Sequence, residues 1–195
     1  PPRRNAERAF MAIDAATRAA LEIDRSVRGG REGSLLACID RTVAAAGGRL
    51  LAERLARPLK DVEAITARFD AVQFFLENES ARAGVRHELK AAGDLARAVT
   101  RLALGRGGPR DLAQIRDGLS AGDGAAARCL GLSQEAPQEI AAACDALSLA
   151  AHAESASLTQ TLSRALADVL PMLTRDGGFI ATGFDATLDE ARALR

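Results

Sequence analysis

The chain has 195 residues, and its 26 lysine and arginine side chains balance 26 aspartate and glutamate side chains. This balance excludes a strong overall attraction to nucleic acid or to an anionic membrane. Aromatic residues make up only 3% of the chain, which disfavours a β-sandwich. Alanine and leucine supply most of the hydrophobic residues, and both are strong helix formers. The composition therefore predicts an all-α, multi-helix bundle packed through small side chains.

The cysteines and the amino terminus bear on location. Cys38, Cys129 and Cys144 are an odd number at irregular spacing, which argues against a disulfide framework and favours a reducing cytoplasm. No apolar run approaches the roughly 20 residues that cross a bilayer, and the polar start PPRRNAERAF is not typical of a signal peptide. Residues 1–31 are mildly basic, which we interpret as a solvated face, with phosphate contact as the alternative.

The first quarter of the chain predicts short helices separated by glycines. Residues 6–28 predict an extended or turn piece and then a helix, and Ser34 is a candidate N-cap for a helix through Ile39. Residues 40–56 are predicted to form a helix, and Pro58 is expected to stop or kink it. Gly47 and Gly48 lie inside that segment. Since each helical glycine costs about 1 kcal/mol, we expect another backbone to approach closely there.

The next helix has the strongest pattern. Its apolar positions step by three and four residues, which predicts one continuous stripe facing a core or a partner helix. We label this helix, predicted over residues 62–76, α4, and we call Val62, Ile65, Phe69, Val72 and Leu76 the α4 stripe. Asp61 precedes the stripe as a candidate cap or first-turn acid.

The second half predicts further helices joined by glycine-rich turns. Asp94 begins one helix, Gly105–Gly108 ends it, and Pro109 begins the next. Residues 118–124 are predicted to be loop-like, and residues 135–149 and 158–173 to be helical. After a turn at 176–178, residues 179–184 are the one strand-like segment. A capping box of Thr187 and Glu190 then predicts a helix starting at Leu188, so we expect the chain to be cut early in that helix.

No residue emerges as a catalytic, cofactor-binding or metal-binding candidate. Neither lysine follows a glycine, so the P-loop motif is absent. The loop Gly105 to Pro109 resembles a phosphate loop only in composition, and because it follows a helix and not a strand, a simple connector is favoured over a phosphate-binding loop. His87 and His152 are 65 residues apart and are interpreted as helix-surface side chains. Cys38 and Cys144 fall on apolar faces and are predicted to be small core residues. No residue is assigned to DNA binding.

Several strings in series resemble the central core, or lever, domain of the MutS mismatch-repair family. They are AIDAATRAALE (residues 12–22), LLACIDRTVAAAGGRLLAERLARPL (35–59), D…I..R.DAV (61–72), GDLARAVTRLALGRGGPRDLAQIRDGL (93–119) and RDGGFIATGFDATL (175–188). They occur in the family's order along nearly the whole chain. Phe184 stands where the family usually has a tyrosine, a difference that removes one hydroxyl.

The resemblance implies a role for the parent protein. Such proteins are dimers that clamp mismatched double-stranded DNA, act with a MutL-like partner and hydrolyse ATP with Mg²⁺. Residues 1–195 would be a single helical core fragment, with 1–30 entering from a connector domain and 187–195 starting a lever helix below the clamp. The family's mismatch-reading motif, Phe-x-Glu, lies in a separate domain, so Phe75-Leu76-Glu77 matches it by accident and Phe75 is predicted to pack in its helix.

Two hypotheses follow. The first is a non-enzymatic structural and allosteric segment that links the DNA clamp and the mismatch-binding part to the ATPase. The second is a stand-alone helical interaction module that binds a partner through the α4 stripe. A helical enzyme is a third option, but no constellation of residues supports it.

Overall fold

The computed structural model describes residues 9–132 and 136–194, and helices dominate both ranges. The α-helices are α1 (Ala15–Ala20), α2 (Leu35–Ile39), α3 (Ala45–Ala56), α4 (Val62–Glu77), α5 (Glu79–Ala91), α6 (Leu95–Ala103), α7 (Pro109–Leu130), α8 (Gln138–Leu147), α9 (Ala153–Ala165) and α10 (Ala186–Ala193). Single 3₁₀ turns lie at Leu149–Ala151 and Thr174–Asp176. The all-α prediction is confirmed.

Extended structure is limited, among the described residues, to two isolated antiparallel bridges. They join Phe10 to Leu59 and Leu166 to Ile180. The segment predicted to be strand-like, 179–184, therefore contributes one bridge and no strand. The amide of Ala181 donates to the carbonyl of Ala165 at 2.8 Å, which fastens this segment to the end of α9.

The chain divides into two compact units. Within the described ranges, unit 1 comprises residues 9–83, 132 and 136–142, and unit 2 comprises residues 84–131 and 143–194. Helices α1 to α4 belong to unit 1, and α6, α7, α9 and α10 belong to unit 2.

Side-chain caps begin several helices of unit 1, as the sequence analysis expected for two of them. The Ser34 hydroxyl accepts from the amide of Ala37 at 3.2 Å, and a carboxyl oxygen of Asp61 accepts from the amide of Ala64 at 2.8 Å. Both predicted caps are confirmed. Asp14 is the N-cap of α1, because its side chain accepts from the amide of Thr17 at 2.8 Å.

The predicted helix over residues 40–56 begins later than expected, at Ala45. Residues before it form a turn in which the Asp40 side chain accepts from the amide and the hydroxyl of Thr42, at 2.9 and 2.7 Å. A Cβ on Gly48 would lie 3.4 Å from the Thr42 hydroxyl, an ordinary contact. The expected close approach of a second backbone at Gly47 and Gly48 is therefore wrong.

Unit 2 has its hydrophobic core between α6, α7 and α9. The buried members of this core are Ala98, Ala113, Ile115, Leu162 and Leu166, and half-buried leucines on the same helices and on the segment after α9 pack around them. Ala98 has no exposed surface at all, so α6 and α7 approach each other through a methyl group. Alanine-rich composition thus produces close helix packing in this unit.

The predicted loop over residues 118–124 is wrong, because α7 continues through it to Leu130. The small residues there are buried on one helix face: Gly118, Ala121, Gly122 and Ala125. A Cβ on Gly118 would lie 3.0 Å from the carbonyl oxygen of Ala92, and one on Gly122 would lie 3.1 Å from Leu147 Cδ2. These glycines fit close neighbours into α7 and do not break it.

Other boundaries also moved. Helix α9 spans Ala153–Ala165, so its start precedes the predicted start at 158 and its end precedes the predicted end at 173. No bounds were predicted for helix α5, although His87 within it was interpreted as a helix-surface side chain. Of the predicted helix at 135–149, α8 occupies Gln138–Leu147, and residue 135 lies outside the described residues.

The last helix, α10, is capped two residues earlier than predicted. Asp185 is its N-cap, and the Asp185 side chain accepts from the amide of Leu188 at 3.0 Å. The predicted capping box of Thr187 and Glu190 is therefore wrong. The carboxylate of Asp189 instead accepts from the amide of Gly183 at 2.6 Å and holds the preceding turn against the first turn of α10.

Candidate functional site

The glycine loop between α6 and α7 is a connector, as predicted, and it is held by one carboxylate. Asp111 accepts from the amide of Gly108 at 2.8 Å and from the guanidinium of Arg101 at 3.0 and 3.2 Å. The same guanidinium donates to the carbonyl of Arg106 at 2.8 Å. An acid in the first turn complements the helix dipole, so Asp111 fixes both the start of α7 and the shape of the loop.

The two histidines lie on exposed positions, as the sequence analysis expected. His87 is on the surface of α5, and a ring nitrogen of His152 lies 3.1 Å from the carbonyl oxygen of Asp145. That contact spans the turn between α8 and α9. Neither histidine has a cysteine or serine hydrogen-bonded to it in the described part of the chain, and a nucleophile needs such a base within reach.

The cysteines divide into one exposed residue and one buried pair. Cys38 is exposed, so its predicted core position is wrong, whereas Cys144 is buried as predicted. Cys129 is also buried, and its thiol is near enough to that of Cys144 for each to influence the pKa of the other. Burial raises the pKa of both thiols, and that of Cys129 to about 11. Both are therefore protonated near neutral pH and are poor nucleophiles.

The Phe-x-Glu match at residues 75–77 lies on the last turn of α4. The ring of Phe75 packs edge-on against Phe74 with 5.2 Å between the centroids, and the Phe75 carbonyl accepts from Arg82 at 3.0 Å. Edge-to-face pairs of this kind stabilise packing. Phe75 is thus a packing residue, as predicted.

The α4 stripe does not face a core within this structure. The exposed fraction is 73% for Val62, 67% for Phe69, 56% for Val72 and 61% for Leu76. The buried residue of α4 is Phe74, which is 1% exposed and lies off the stripe. The predicted stripe exists, but the expectation that a core covers it is wrong for the described residues.

Residues 9–132 and 136–194 contain neither a cluster of metal-ligating side chains nor a membrane-spanning helix. No group of three or more His, Cys, Asp or Glu side chains is arranged to hold a metal ion. None of the helices combines the length and the hydropathy that a membrane crossing requires.

Arginines were not singled out in the sequence analysis, yet they line the mouth of the loop held by Asp111. Arg97 and Arg101 lie one turn apart on α6, Arg106 is in the loop, and Arg110 is in the first turn of α7. The four-residue spacing of Arg97 and Arg101 was the signal available in the sequence. The approach of Arg106 and Arg110 depends on the turn between the two helices.

Comparison with known proteins places this arrangement in a family. The family model described as MutS domain III matches residues 16–194. The chain is 55% identical over its whole length to the DNA mismatch repair protein MutS of Rhodopseudomonas palustris (strain BisB5) and covers 21% of that protein. It is 53% identical to the MutS proteins of Nitrobacter winogradskyi (strain ATCC 25391 / DSM 10237 / CIP 104748 / NCIMB 11846 / Nb-255) and Caulobacter vibrioides (strain ATCC 19089 / CIP 103742 / CB 15), again over its whole length, and covers 21% and 22% of them.

The match extends through both compact units, from α1 to α10. The chain spans about a fifth of the length of the curated relatives that it matches. The chain belongs to the MutS domain III family.

Proposed function

We propose that this chain is the structural and allosteric core segment of a DNA mismatch-repair ATPase. In this proposal it connects the parts that clamp DNA and read a mispair with the part that hydrolyses ATP. The observation that carries the proposal is the packing of α7, a 22-residue helix with a buried small-residue face. Coupling between distant sites needs stiff elements that move as units.

The contacts of α7 support a stiff element. An ideal Cβ on Gly118 would lie 3.0 Å from the carbonyl oxygen of Ala92, so the helix has little room to move toward α5 and α6. Five residues further along α7, the carboxylate of Asp123 accepts from the amide of Leu149 at 2.8 Å. Closely packed interiors transmit displacement because they compress little.

The activities of the parent protein are part of the same proposal. The relatives are named DNA mismatch repair protein MutS, and the parent would bind mismatched double-stranded DNA, act with a MutL-like protein and form a homodimer. ATP and Mg²⁺ would bind outside residues 1–195. The parent would be located in the cytoplasm. The isolated chain would hydrolyse no ATP. Turnover by a clean preparation of the chain would contradict this assignment.

The coupling role is tested in the parent protein by overpacking α7. Gly122→Val adds a Cβ and two methyl groups at a position where the Cβ alone would lie 3.1 Å from Leu147 Cδ2. Mismatch-stimulated hydrolysis, divided by basal hydrolysis, should fall about twofold or more, since mutations along a coupling route change it by about 0.5–2 kcal/mol.

The matched control is Ser120→Val, which introduces the same side chain on an exposed position of α7. It should leave the ratio unchanged. Circular dichroism of both variants verifies that the helices remain. A folded Gly122→Val protein with an unchanged ratio would overturn the coupling role while leaving the family assignment intact.

A second candidate function is a helical protein-interaction module, and the exposure of the α4 stripe favours it. A partner helix could bury these side chains in the way that amphipathic helices bind grooves. The gene sequence after the codon for Arg195 separates the two candidates. A clamp segment followed by a GK[ST] P-loop supports the core-segment proposal, and a stop codon supports the module.

A further inference from the structure

A cleft of about 450 Å³ opens in unit 2 where the loop between α6 and α7 meets the segment after α9. Arg97, Arg101, Arg106 and Arg110 all line it. They come from three consecutive pieces of chain: α6, the loop and the first turn of α7. The opposite wall is formed by residues 172–174.

The charges of this cleft do not balance. Its acidic side chains are Asp94 and Asp111, so four guanidinium groups face two carboxylates. Asp111 is already engaged by Arg101 and by the amide of Gly108. A surplus of two positive charges therefore remains in one concave surface, where the field of like charges adds up.

Two of the arginines have hydrogen-bonding capacity left over. Arg110 donates to the carbonyl of Leu170, although at a long 3.5 Å, and Arg101 is engaged by Asp111 and by the carbonyl of Arg106. The guanidinium groups of Arg97 and Arg106 have no hydrogen bond or ion pair to any described residue. Each presents five N–H donors in a planar fork.

The floor of the cleft is shaped by glycine. Gly107 and Gly108 have no side chains to fill it, and a Cβ on Gly107 would lie 2.4 Å from Leu102 Cδ2. The Thr174 hydroxyl lies 3.7 Å from the position that a Cβ on Gly108 would take. The loop backbone and one hydroxyl therefore stay open toward the arginines.

We propose that this cleft binds a phosphate group, with Arg97 and Arg106 as its ligands and with Arg110 and the Thr174 hydroxyl beside them. A phosphate carries up to two negative charges and several acceptor oxygens, and guanidinium forks bind such oxygens bidentately. Two surplus positive charges match a dianion better than a carboxylate, which carries one. The phosphate could belong to a free phosphoanion or to a nucleic-acid backbone.

The test is a titration of the 195-residue chain at low ionic strength with inorganic pyrophosphate, followed by isothermal calorimetry. Saturable binding is expected, and it should weaken as salt is added, because the arginines are exposed. The double variant Arg97→Gln/Arg106→Gln should weaken binding about tenfold or more, since a hydrogen bond to a charged group contributes about 1.5–3 kcal/mol and each 1.4 kcal/mol is a factor of ten.

The matched control is Arg28→Gln/Arg164→Gln, which removes the same charge from two exposed arginines outside the cleft. Its affinity should stay within about twofold of the unmodified chain. If the cleft double variant loses helix content, Arg106→Gln alone decides, because Arg106 lies in the loop and outside any helix.

Two further probes identify the source of the phosphate. A short oligothymidylate that binds more tightly than pyrophosphate, with the same dependence on Arg97 and Arg106, assigns the site to nucleic-acid backbone. The reverse order assigns it to a free phosphoanion. The proposal is overturned if neither probe binds saturably, or if the two double variants lose equal affinity. It is also overturned if a third probe, polyglutamate, binds while pyrophosphate and the oligothymidylate do not.

Discussion

Helices α4 and α7 reverse what their sequences suggest about burial. Helix α4 carries large apolar side chains at ideal helical spacing, yet the α4 stripe is mostly exposed. Helix α7 is interrupted by glycines and polar residues, yet it buries one continuous face. Burial in these two helices depends on how closely a neighbour can approach. Small residues on α7 admit neighbours at contact distance, and α4 has no such neighbour beside its stripe among the described residues.

The largest expected effect tests the two faces of α4. Phe74→Ala should lower the free energy of unfolding by about 3–5 kcal/mol, because it empties a fully buried site. Phe69→Ala makes the same chemical change on the stripe and should change stability by less than about 0.5 kcal/mol. Urea denaturation followed by circular dichroism measures both. Equal losses would show that the stripe of the isolated chain is covered.

The second prediction concerns the small face of α7. Gly118→Val should destabilise by about 1–3 kcal/mol through overpacking, since even its Cβ would lie 3.0 Å from the backbone oxygen of Ala92. The gain in helix propensity from replacing glycine, about 1 kcal/mol, offsets part of this loss. Ser120→Val on the exposed face of α7 is the control. A stabilised Gly118→Val protein would mean that the close approach is absent in solution.

The third prediction compares how the two helices begin. Asp111→Ala should cost about 1–2 kcal/mol, because it removes a bond to the Gly108 amide and the ion pair with Arg101. Asp61→Ala removes one cap bond from α4 and should cost about 1 kcal/mol. Denaturation of both variants at neutral pH checks the order, and a larger loss from Asp61→Ala would contradict it.

The smallest effect concerns acid pH and unit 1. Donation from the hydroxyl and the amide of Thr42, and then from Arg31, holds the pKa of Asp40 below its ordinary value of 3.8. A lowered pKa in the folded state stabilises the fold above the ordinary value, and this contribution is lost as pH falls through the folded pKa.

Asp40→Asn should therefore lose less stability than the unmodified chain between about pH 5 and pH 2. Denaturation series across that range measure the two slopes. Glu139→Gln, which alters another acid of unit 1, one that pairs with Arg54 at 2.6 Å, serves as the control. Parallel slopes for Asp40→Asn and the unmodified chain would show that the Asp40 turn is not formed in solution.

Local features were predictable because their causes lie within a few residues. Ser34 and Asp61 cap helices through bonds to amides three residues ahead. Pro109 begins α7 because it lacks the amide that a first-turn residue leaves unpaired. The same local logic placed Phe75 within α4. It failed for Thr187, because Asp185, two residues earlier, supplies the cap.

The candidate cleft was only partly predictable. The pattern Gly105 to Pro109 identified a connector, and the spacing of Arg97 and Arg101 put them on one face of α6. That Arg106 and Arg110 join them follows from a positive φ of 67° at Gly105 and from the bond between Arg101 and the Arg106 carbonyl. These contacts form only when the two helices have turned back on each other.

Composition and local pattern alone thus determined the all-α class and several of the helix starts. The order of the sequence strings determined the resemblance of the chain to the MutS family. Tertiary structure decided the rest. It kept α7 helical through Gly118 and Gly122, since close packing against neighbouring residues offsets the low helix propensity of glycine. It brought Cys129 beside Cys144, and it left the α4 stripe exposed. Each of these outcomes depends on which surfaces of distant chain segments pack together. The hydrophobic spacing along a single helix does not determine its neighbours.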